Sequence, residues 1–483
     1  MCGIAGIMGE DISKALYNML ISLKHRGPDG SGVFINNKLI YNNLDSMKIP
    51  EGSFGMGHNL LSIVGCHGLQ PLVQDNFVLV CNGEIYNFEE LKYKFQLPLN
   101  TDSDCEIILS LIKLFYTDSL YDAVIKTIDY LDGDYAFAVY DGKNFAAVRD
   151  PIGVKPLYYG KDNDLFAFAS ERKALWNIGI TDVKTLSPDS IIYNKEVMKI
   201  KSKLNRIIDS KSSNLPKEIL KKQLKETLIK SVKKRCIGLS KVGILFSGGI
   251  DSTILAKITE DMGLETTLYS VGHRDSIDLK VSKKTAKTMN IPLETQEIGI
   301  EDVKTYLPLV LDAIEEFNIM KIGVGMTAYI AAQVAHEDGL KVMLSGQGAD
   351  ELFGGYHRYL RFYQEKGELT QEDLKEDILN LYHVNLQRDD AVTMANGIEL
   401  RVPYLDLDII NTAMNIPMKY KINGKEDNLR KCILREIGAE LGVPEEIVRR
   451  PKKAAQYGSG IHKMLKTVLR EDKYKDIGNE FNI

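Results

Sequence analysis

The sequence predicts two folds in tandem. Residues 1–196 read as α+β, a sandwich of antiparallel sheets with helices outside; residues 217–483 read as α/β, a doubly wound parallel sheet with helices. Short alternating or apolar runs separated by turn residues fill the first part. Strand-like runs alternating with helix-like segments fill the second. Between them, from Val197 to Pro216, the chain turns polar and reads as a linker.

In the first part, strands are expected at 32–35, 77–81, 135–140, 144–148 and 165–169, bounded by turn residues such as Asn36-Asn37 and Asp141-Gly142. Helices are expected at 13–24, 88–94 and 104–115. Cys2 stands out because removal of Met1, plausible before a small side chain, would make it the terminal residue. Its α-amine, with a reference pKa of ~7.7–8.0, could then act as general base for its own thiol. Asn82-Gly83 follows an apolar run, and a side-chain amide beside a glycine N–H is a natural oxyanion hole. Asp104 could hold a substrate ammonium; a helix cap is the plainer reading of it.

The lysine-rich segment 217–234 reads as an amphipathic helix with a solvated charged face. It leads into an apolar strand, 242–246, then Ser247-Gly248-Gly249-Ile250-Asp251-Ser252, then a helix-like stretch, 253–262. Strand, glycine turn and helix together aim backbone N–H groups at a phosphate. The two glycines let the backbone approach an anion, and Ser247 and Ser252 add hydroxyls. Asp251 cannot help hold a bare phosphate, so it makes sense as a ligand for Mg²⁺, which prefers oxygen. The plainer reading is an ordinary strand-to-helix turn. A strand at 267–272 and a helix at 276–289 follow. A further strand, 341–344, runs into a second glycine-rich turn, Ser345-Gly346-Gln347-Gly348-Ala349-Asp350. Two carboxylates, Asp251 and Asp350, converging on a triphosphate would make a Mg²⁺ site. Glu399 and Arg401 read as a partly buried pair.

The length of 483 residues leaves room for two to four domains at ~150 residues each. With 44% hydrophobic and 26% charged residues the chain is ordinary for a globular protein. A net charge of −5 offers no footprint for nucleic acid. No apolar run approaches the ~20 residues that span a bilayer, so no membrane partner is expected. The N-terminus lacks the basic region of a signal peptide. The cysteines (Cys2, Cys66, Cys81, Cys105, Cys236, Cys432) form no CxxC pair, which argues against a disulfide framework or zinc knuckle and fits a reducing compartment. The expected location is cytoplasmic.

Met1-Cys2-Gly3-Ile4, Arg26-Gly27-Pro28-Asp29-Gly30, Asn82-Gly83-Glu84-Ile85-Tyr86-Asn87, Arg149-Asp150-Pro151-Ile152-Gly153-Val154-Lys155 and Phe168-Ala169-Ser170-Glu171 resemble the class II, N-terminal-nucleophile (Ntn) glutamine amidotransferases. The Ser247–Ser252 loop lacks the Walker Gly-Lys-Ser/Thr pattern and resembles the pyrophosphate loop of N-type ATP pyrophosphatases. The whole chain is similar to the glutamine-hydrolysing asparagine synthetase family. The resemblance implies an Ntn-type αββα sandwich for the first domain. It implies that Cys2 attacks the glutamine carboxamide, that Asn82 and Gly83 stabilise the oxyanion, and that Arg26, Ser62, Ile63, Val64, Glu84 and Asp104 hold glutamine. It assigns ATP to Leu245, Ser247, Gly248, Gly249, Asp251, Ser252, Val271, Ser345 and Gly346, Mg²⁺ to Asp251 and Asp350, and a catalytic lysine to Lys452.

The chain departs from the family pattern at several points. Leu60 replaces the arginine that clamps the glutamine α-carboxylate, and leucine cannot form that bidentate pair. Gln347 and Asn385 stand where close relatives carry acids, and segment 315–327, where the family binds the acceptor acid, matches poorly. The expected function is conversion of aspartate to asparagine through β-aspartyl-AMP, with release of AMP and pyrophosphate and with ammonia drawn from glutamine through an internal passage. The alternatives are an amide-forming ligase on another carboxylate and a non-catalytic ATP-binding relative. The expected partners are ATP, glutamine and aspartate. The assembly state is open, a homodimer being one arrangement compatible with the sequence.

Overall fold

In the computed structural model, which describes residues 2–64, 68–209, 215–424, 426–451, 458–471 and 474, period-two burial builds the first unit from two antiparallel sheets. In chain order the strands are β1 (Gly3–Met8), β2 (Gly30–Ile35), β3 (Lys38–Asn42), β4 (Phe54–Leu60), β5 (Leu72–Gln74), β6 (Phe77–Ile85), β7 (Gly133–Tyr140), β8 (Phe145–Arg149), β9 (Tyr158–Asp162), β10 (Leu165–Ala169), β11 (Val183–Thr185), β12 (Ser190–Tyr193) and β13 (Glu196–Lys199). One sheet runs β11-β9-β10-β1-β4-β2-β3 and the other β13-β12-β8-β7-β6-β5.

Alternate residues sort into layers. Ile4, Met56, Val78 and Val80 meet between the sheets. Ala5 and Ile7 face the other way, onto Leu16, Met19 and Leu20 of the helix Ser13–Ser22. Leu79 and Cys81 face the helices Glu106–Phe115 and Leu120–Ile128. The result is the αββα order, with helices on both outer faces. By the same alternation Cys2 shares the inward face with Ile4, and Asn82 shares it with Val80.

Two expectations are corrected here. β6, expected to end at 81, continues to Ile85, so Asn82, Gly83 and Glu84 belong to a strand paired with β7. The segment read as a linker contains structure: β13 pairs with β12, Met198 and Ile200 pack on the helical side of the sandwich, and a helix spans Lys203–Ile208. Met198 and Ile200 alternate with Lys199 and Lys201, which is the pattern of an edge strand rather than of a coil. The two compact units are Met1–Lys203 and Leu204–Ile483.

The second unit holds a parallel sheet, β14 (Lys241–Leu245), β15 (Glu265–Gly272), β16 (Leu293–Glu297), β17 (Val342–Leu344) and β18 (Glu399–Arg401), in the order β16-β15-β14-β17-β18. The sequence of strands reverses between β14 and β17, and such a switch opens a crevice at the strands' carboxyl ends. Both glycine-rich turns leave from that place. Helices Ile250–Asp261 and Ile277–Met289 follow β14 and β15. Leu307, Val310, Met326 and Ala331, from helices Ile300–Ile314 and Ile319–Glu337, join Tyr269 and Val271 in the core.

The lysine-rich helix, Lys217–Arg235, is more than a solvated face. Lys234 and Arg235 meet the buried Asp406 carboxylate at 2.5 and 2.8 Å. Burial opposes the charge on Asp406, yet the two cations hold its pKa down to about 2. The Glu399–Arg401 pair (2.8 Å) is buried outright, and Arg401 also donates to the Arg235 carbonyl at 2.5 Å.

Candidate functional site

In the first unit the Cys2 nitrogen donates to Asn82 Oδ1 at 2.9 Å. This is a peptide nitrogen while Met1 is attached and becomes the α-amine once Met1 is removed. The bond fixes the orientation of the Asn82 side chain and turns Nδ2 away from Cys2 N. That Nδ2 is fully buried and has no hydrogen-bond partner among the described residues. A buried donor without an acceptor costs ~1–3 kcal/mol, so the arrangement suits an acceptor that arrives with a substrate. At Gly83 a Cβ would press on the Asp134 carbonyl and on Tyr135 at 2.7 Å, so only glycine fits there.

Arg26, expected to help hold glutamine, lies beneath Cys2. It is completely buried, donates from Nε to the Cys2 carbonyl at 3.2 Å, and pairs through Nη1 with Glu171 at 2.8 Å. Burial opposes the charge of Glu171, but His25, Arg26 and Lys173 outweigh it and hold the carboxyl well below the usual carboxylate range. A guanidinium committed in this way cannot swing out to replace the arginine missing at Leu60.

Asp104 accepts the Ile85 N–H at 2.5 Å, and Cys105 Sγ lies 3.8 Å from the Gly83 carbonyl. Gly83, Glu84 and Asp104 are therefore neighbours. Ser62, Ile63 and Val64 form a partly exposed rim after β4, anchored where Ser62 N donates to Asp29 Oδ2 at 2.8 Å. His58, cross-strand from Ile4, is fully buried, and burial with the positive chain terminus pushes its pKa down to about 3. The imidazole is thus a poor proton acceptor.

In the second unit a cavity of about 390 Å³ opens at the β14/β17 switch. Leu245, Ser247, Asp251, Ser252, Val271, Ser345, Gly346 and Asp350 all line it. Gly248 and Gly249 form the turn behind. Gly248 has φ +64°, and a Cβ there would press on Val281 at 2.8 Å. Ser252 Oγ and Thr253 Oγ1 donate to the Gly249 carbonyl at 3.3 and 2.7 Å, bracing the turn. A Cβ at Gly346 would lie 2.9 Å from the Asp251 Cβ, so the two loops are in close contact.

Asp251 and Asp350 do converge, and Lys431 joins them. The completely buried Lys431 ammonium lies 2.6 Å from Asp251 Oδ2 and 2.7 Å from Asp350 Oδ1. No group of three or more His, Cys, Asp or Glu side chains suited to a metal ion occurs among the described residues. Two carboxylates are what Mg²⁺ takes from a protein when phosphate oxygens and water supply the rest, so the pair fits that ion.

Lys452 lies outside the described residues. On either side of its segment, Arg450 Nη1 donates to the Gly248 carbonyl at 3.1 Å and Ser459 lines the cavity. Arg450 also pairs with Asp278 at 3.1 Å, which ties the glycine turn to the helix after β15.

The cavity lining also holds residues that sequence reasoning left without a role. Lys321, paired with Glu316 at 2.6 Å, and Arg388 are among them, with Asp389 and Tyr356. Arg388 bonds Asp389 (2.7 Å) and Asn385 Oδ1 (3.2 Å), while Asn385 Nδ2 donates to Glu351 at 3.2 Å. Burial and the neighbouring Asp350 push the Glu351 pKa up to about 7. Asn385 and Gln347, both departures from the family, thus face the cavity.

A model of the glutamine amidotransferase domain matches residues 1–208, and one of asparagine synthase matches 223–376 and 364–476. A Methanocaldococcus jannaschii protein named "Putative asparagine synthetase [glutamine-hydrolyzing] 1" is 42% identical, over 98% of this chain and 96% of its own length. Asparagine synthetase [glutamine-hydrolyzing] 1 of Saccharomyces cerevisiae is 30% identical over 95% of this chain and 85% of its own. Asparagine synthetase B [glutamine-hydrolyzing] of Escherichia coli is 29% identical, covering 95% and 82%. Among the described residues no helix is long and apolar enough to cross a membrane.

Proposed function

This chain belongs to the glutamine-hydrolysing asparagine synthetase family, and from that premise we propose how its two sites divide one reaction. The product is asparagine, and its new amide nitrogen comes from glutamine. The single observation that carries this reading is the coexistence in one chain of a nucleophile–oxyanion pair, Cys2 and Asn82, and a cavity built on two glycine turns.

In the first unit the Cys2 sulfur adds to the glutamine carboxamide carbon, its proton passing to the α-amine. The oxygen of the tetrahedral intermediate takes the Asn82 Nδ2 donor, with the Gly83 N–H beside it. Collapse expels ammonia, and water then releases glutamate from the thioester. Glu84 and Asp104 offer carboxylates to the glutamine ammonium.

In the second unit an oxygen of the acceptor carboxylate attacks the α-phosphorus of ATP, and pyrophosphate leaves. Ammonia then adds to the acyl carbon and AMP departs. The turns at Ser247–Ser252 and Ser345–Gly346 cradle the phosphates. Asp251 and Asp350 would hold Mg²⁺, which would supply positive charge to the phosphate oxygens. Lys452 would add to that charge. Aspartate is the acceptor: Lys321 and Arg388, which line the cavity and are paired with Glu316 and Asp389, bring cations near its carboxylates.

ATP–pyrophosphate exchange with purified protein tests the reading. Aspartate should support exchange, and other dicarboxylates and amino acids should not. Exchange with another acid but none with aspartate would refute the acceptor. No exchange with any acid would refute the chemistry.

A further inference from the structure

Resting on the ATP–Mg²⁺ reading above, we propose that Lys431 is the resident counter-cation of the Asp251–Asp350 pair and makes divalent-cation binding there conditional on nucleotide. Two carboxylates brought together at a buried site repel each other and lose hydration, so something positive must stand between them. In this protein it is the Lys431 ammonium, at 2.6 and 2.7 Å, with no exposure to solvent.

The position is built rather than incidental. Arg430 and Lys431 both adopt left-handed backbone, φ +54° and +53°, a region L side chains avoid. The conformation persists because the loop is tied down. Asp427 Oδ1 accepts from Leu429 N and Arg430 N at 2.8 and 3.0 Å, and Arg430 Nε donates to the Gly355 carbonyl at 2.9 Å. Gly355 supplies the clearance: any Cβ there would overlap both Asp350 Oδ1 and Lys431 Cε. Strain held at one side chain aimed into a site is a mark of function.

The electrostatic consequence follows from charge alone. Two carboxylates and the Lys431 ammonium sum to −1, and Arg430 and Arg435, which also act on Asp350 and Asp251, add to the offset, so the pair attracts a free divalent cation far less than two bare carboxylates would. When the triphosphate enters it brings a large negative charge, and ammonium and metal can then be held together. Metal therefore arrives with nucleotide rather than before it, and the empty pocket is not poisoned by whatever divalent ion is abundant.

The test uses the full chain and Mn²⁺, with unbound Mn²⁺ read by electron paramagnetic resonance. Without nucleotide, Lys431→Met should bind Mn²⁺ about tenfold or more tightly than wild type, while Lys431→Arg stays as weak as wild type. Adding a non-hydrolysable ATP analogue should bring wild-type protein to tight binding. Equal Mn²⁺ affinity in wild type and Lys431→Met would overturn the proposal. Should Lys431→Met not fold, wild type alone decides: tight nucleotide-free Mn²⁺ binding that Asp350→Asn abolishes also overturns it. The metal readout is independent of synthesis, so a protein that shows this Mn²⁺ pattern but makes no asparagine would refute only the functional reading.

Discussion

Asn82 accepts the Cys2 N–H on its side-chain oxygen at 2.9 Å and leaves its amide nitrogen buried without a partner among the described residues. On the proposed mechanism one side chain orients the nucleophile's amine and keeps a donor in reserve for the oxyanion. Asn82→Ala should lower glutamine-dependent glutamate release ~10²–10³-fold in kcat, the usual effect of losing one oxyanion donor. Asparagine synthesis from ammonium should be unchanged. Both rates can be followed in one preparation.

Leu60 stands where the family places an arginine, and the buried Arg26 is spent on Cys2 and Glu171. Glutamine should bind weakly, through a high KM rather than a low kcat. Restoring the cation with Leu60→Arg should lower the glutamine KM by about tenfold, since hydrogen bonds to charged groups contribute ~1.5–3 kcal/mol. An unchanged KM would mean that backbone groups near Ser62–Val64 already hold the α-carboxylate.

Gly248→Ala should fold and bind ATP more weakly. The residue sits at φ +64° with Val281 2.8 Å from a new Cβ. Left-handed backbone costs an L residue ~1–2 kcal/mol, so affinity for ATP should fall by about tenfold, measured by calorimetry. Glutaminase activity should persist.

Acid stability of the second unit should depend on Asp406. Its pKa of about 2 in the folded chain lies below the unfolded value near ~3.9. The unfolded state therefore binds the proton first as pH falls. The stabilisation, about 2–3 kcal/mol, is complete above pH ~4 and drains away toward pH 2. Asp406→Asn should lower Tm at pH 7, because Lys234 and Arg235 lose their carboxylate, and should flatten the acid limb. A Tm that falls equally steeply with acid in the variant would place the titrating group elsewhere.

The αββα layering was legible because alternation sorts every second residue, as Val78 and Val80 against Leu79 and Cys81 show. The glycine turns were legible because strand–glycine–helix is a local pattern. The reach of β6 through Ile85 was not, since a polar Asn-Gly-Glu reads as a turn until β7 is known to pair with it. Nor was the role of Arg26, which depends on Glu171 145 residues away. Lys431 left no local signal at all: it lies 180 residues from Asp251, in a polar loop whose left-handed backbone is carried by arginine and lysine instead of glycine. Contacts of that range follow from the packed fold and from nothing shorter.

The division of labour between the two sites is tested most directly with glutamine labelled with ¹⁵N in its side-chain amide. Wild type should place the label in asparagine. Cys2→Ala should place none there, yet should make asparagine at an undiminished rate when ammonium is supplied. Loss of glutamine-dependent and ammonium-dependent synthesis together, or label transfer that survives Cys2→Ala, would contradict the account.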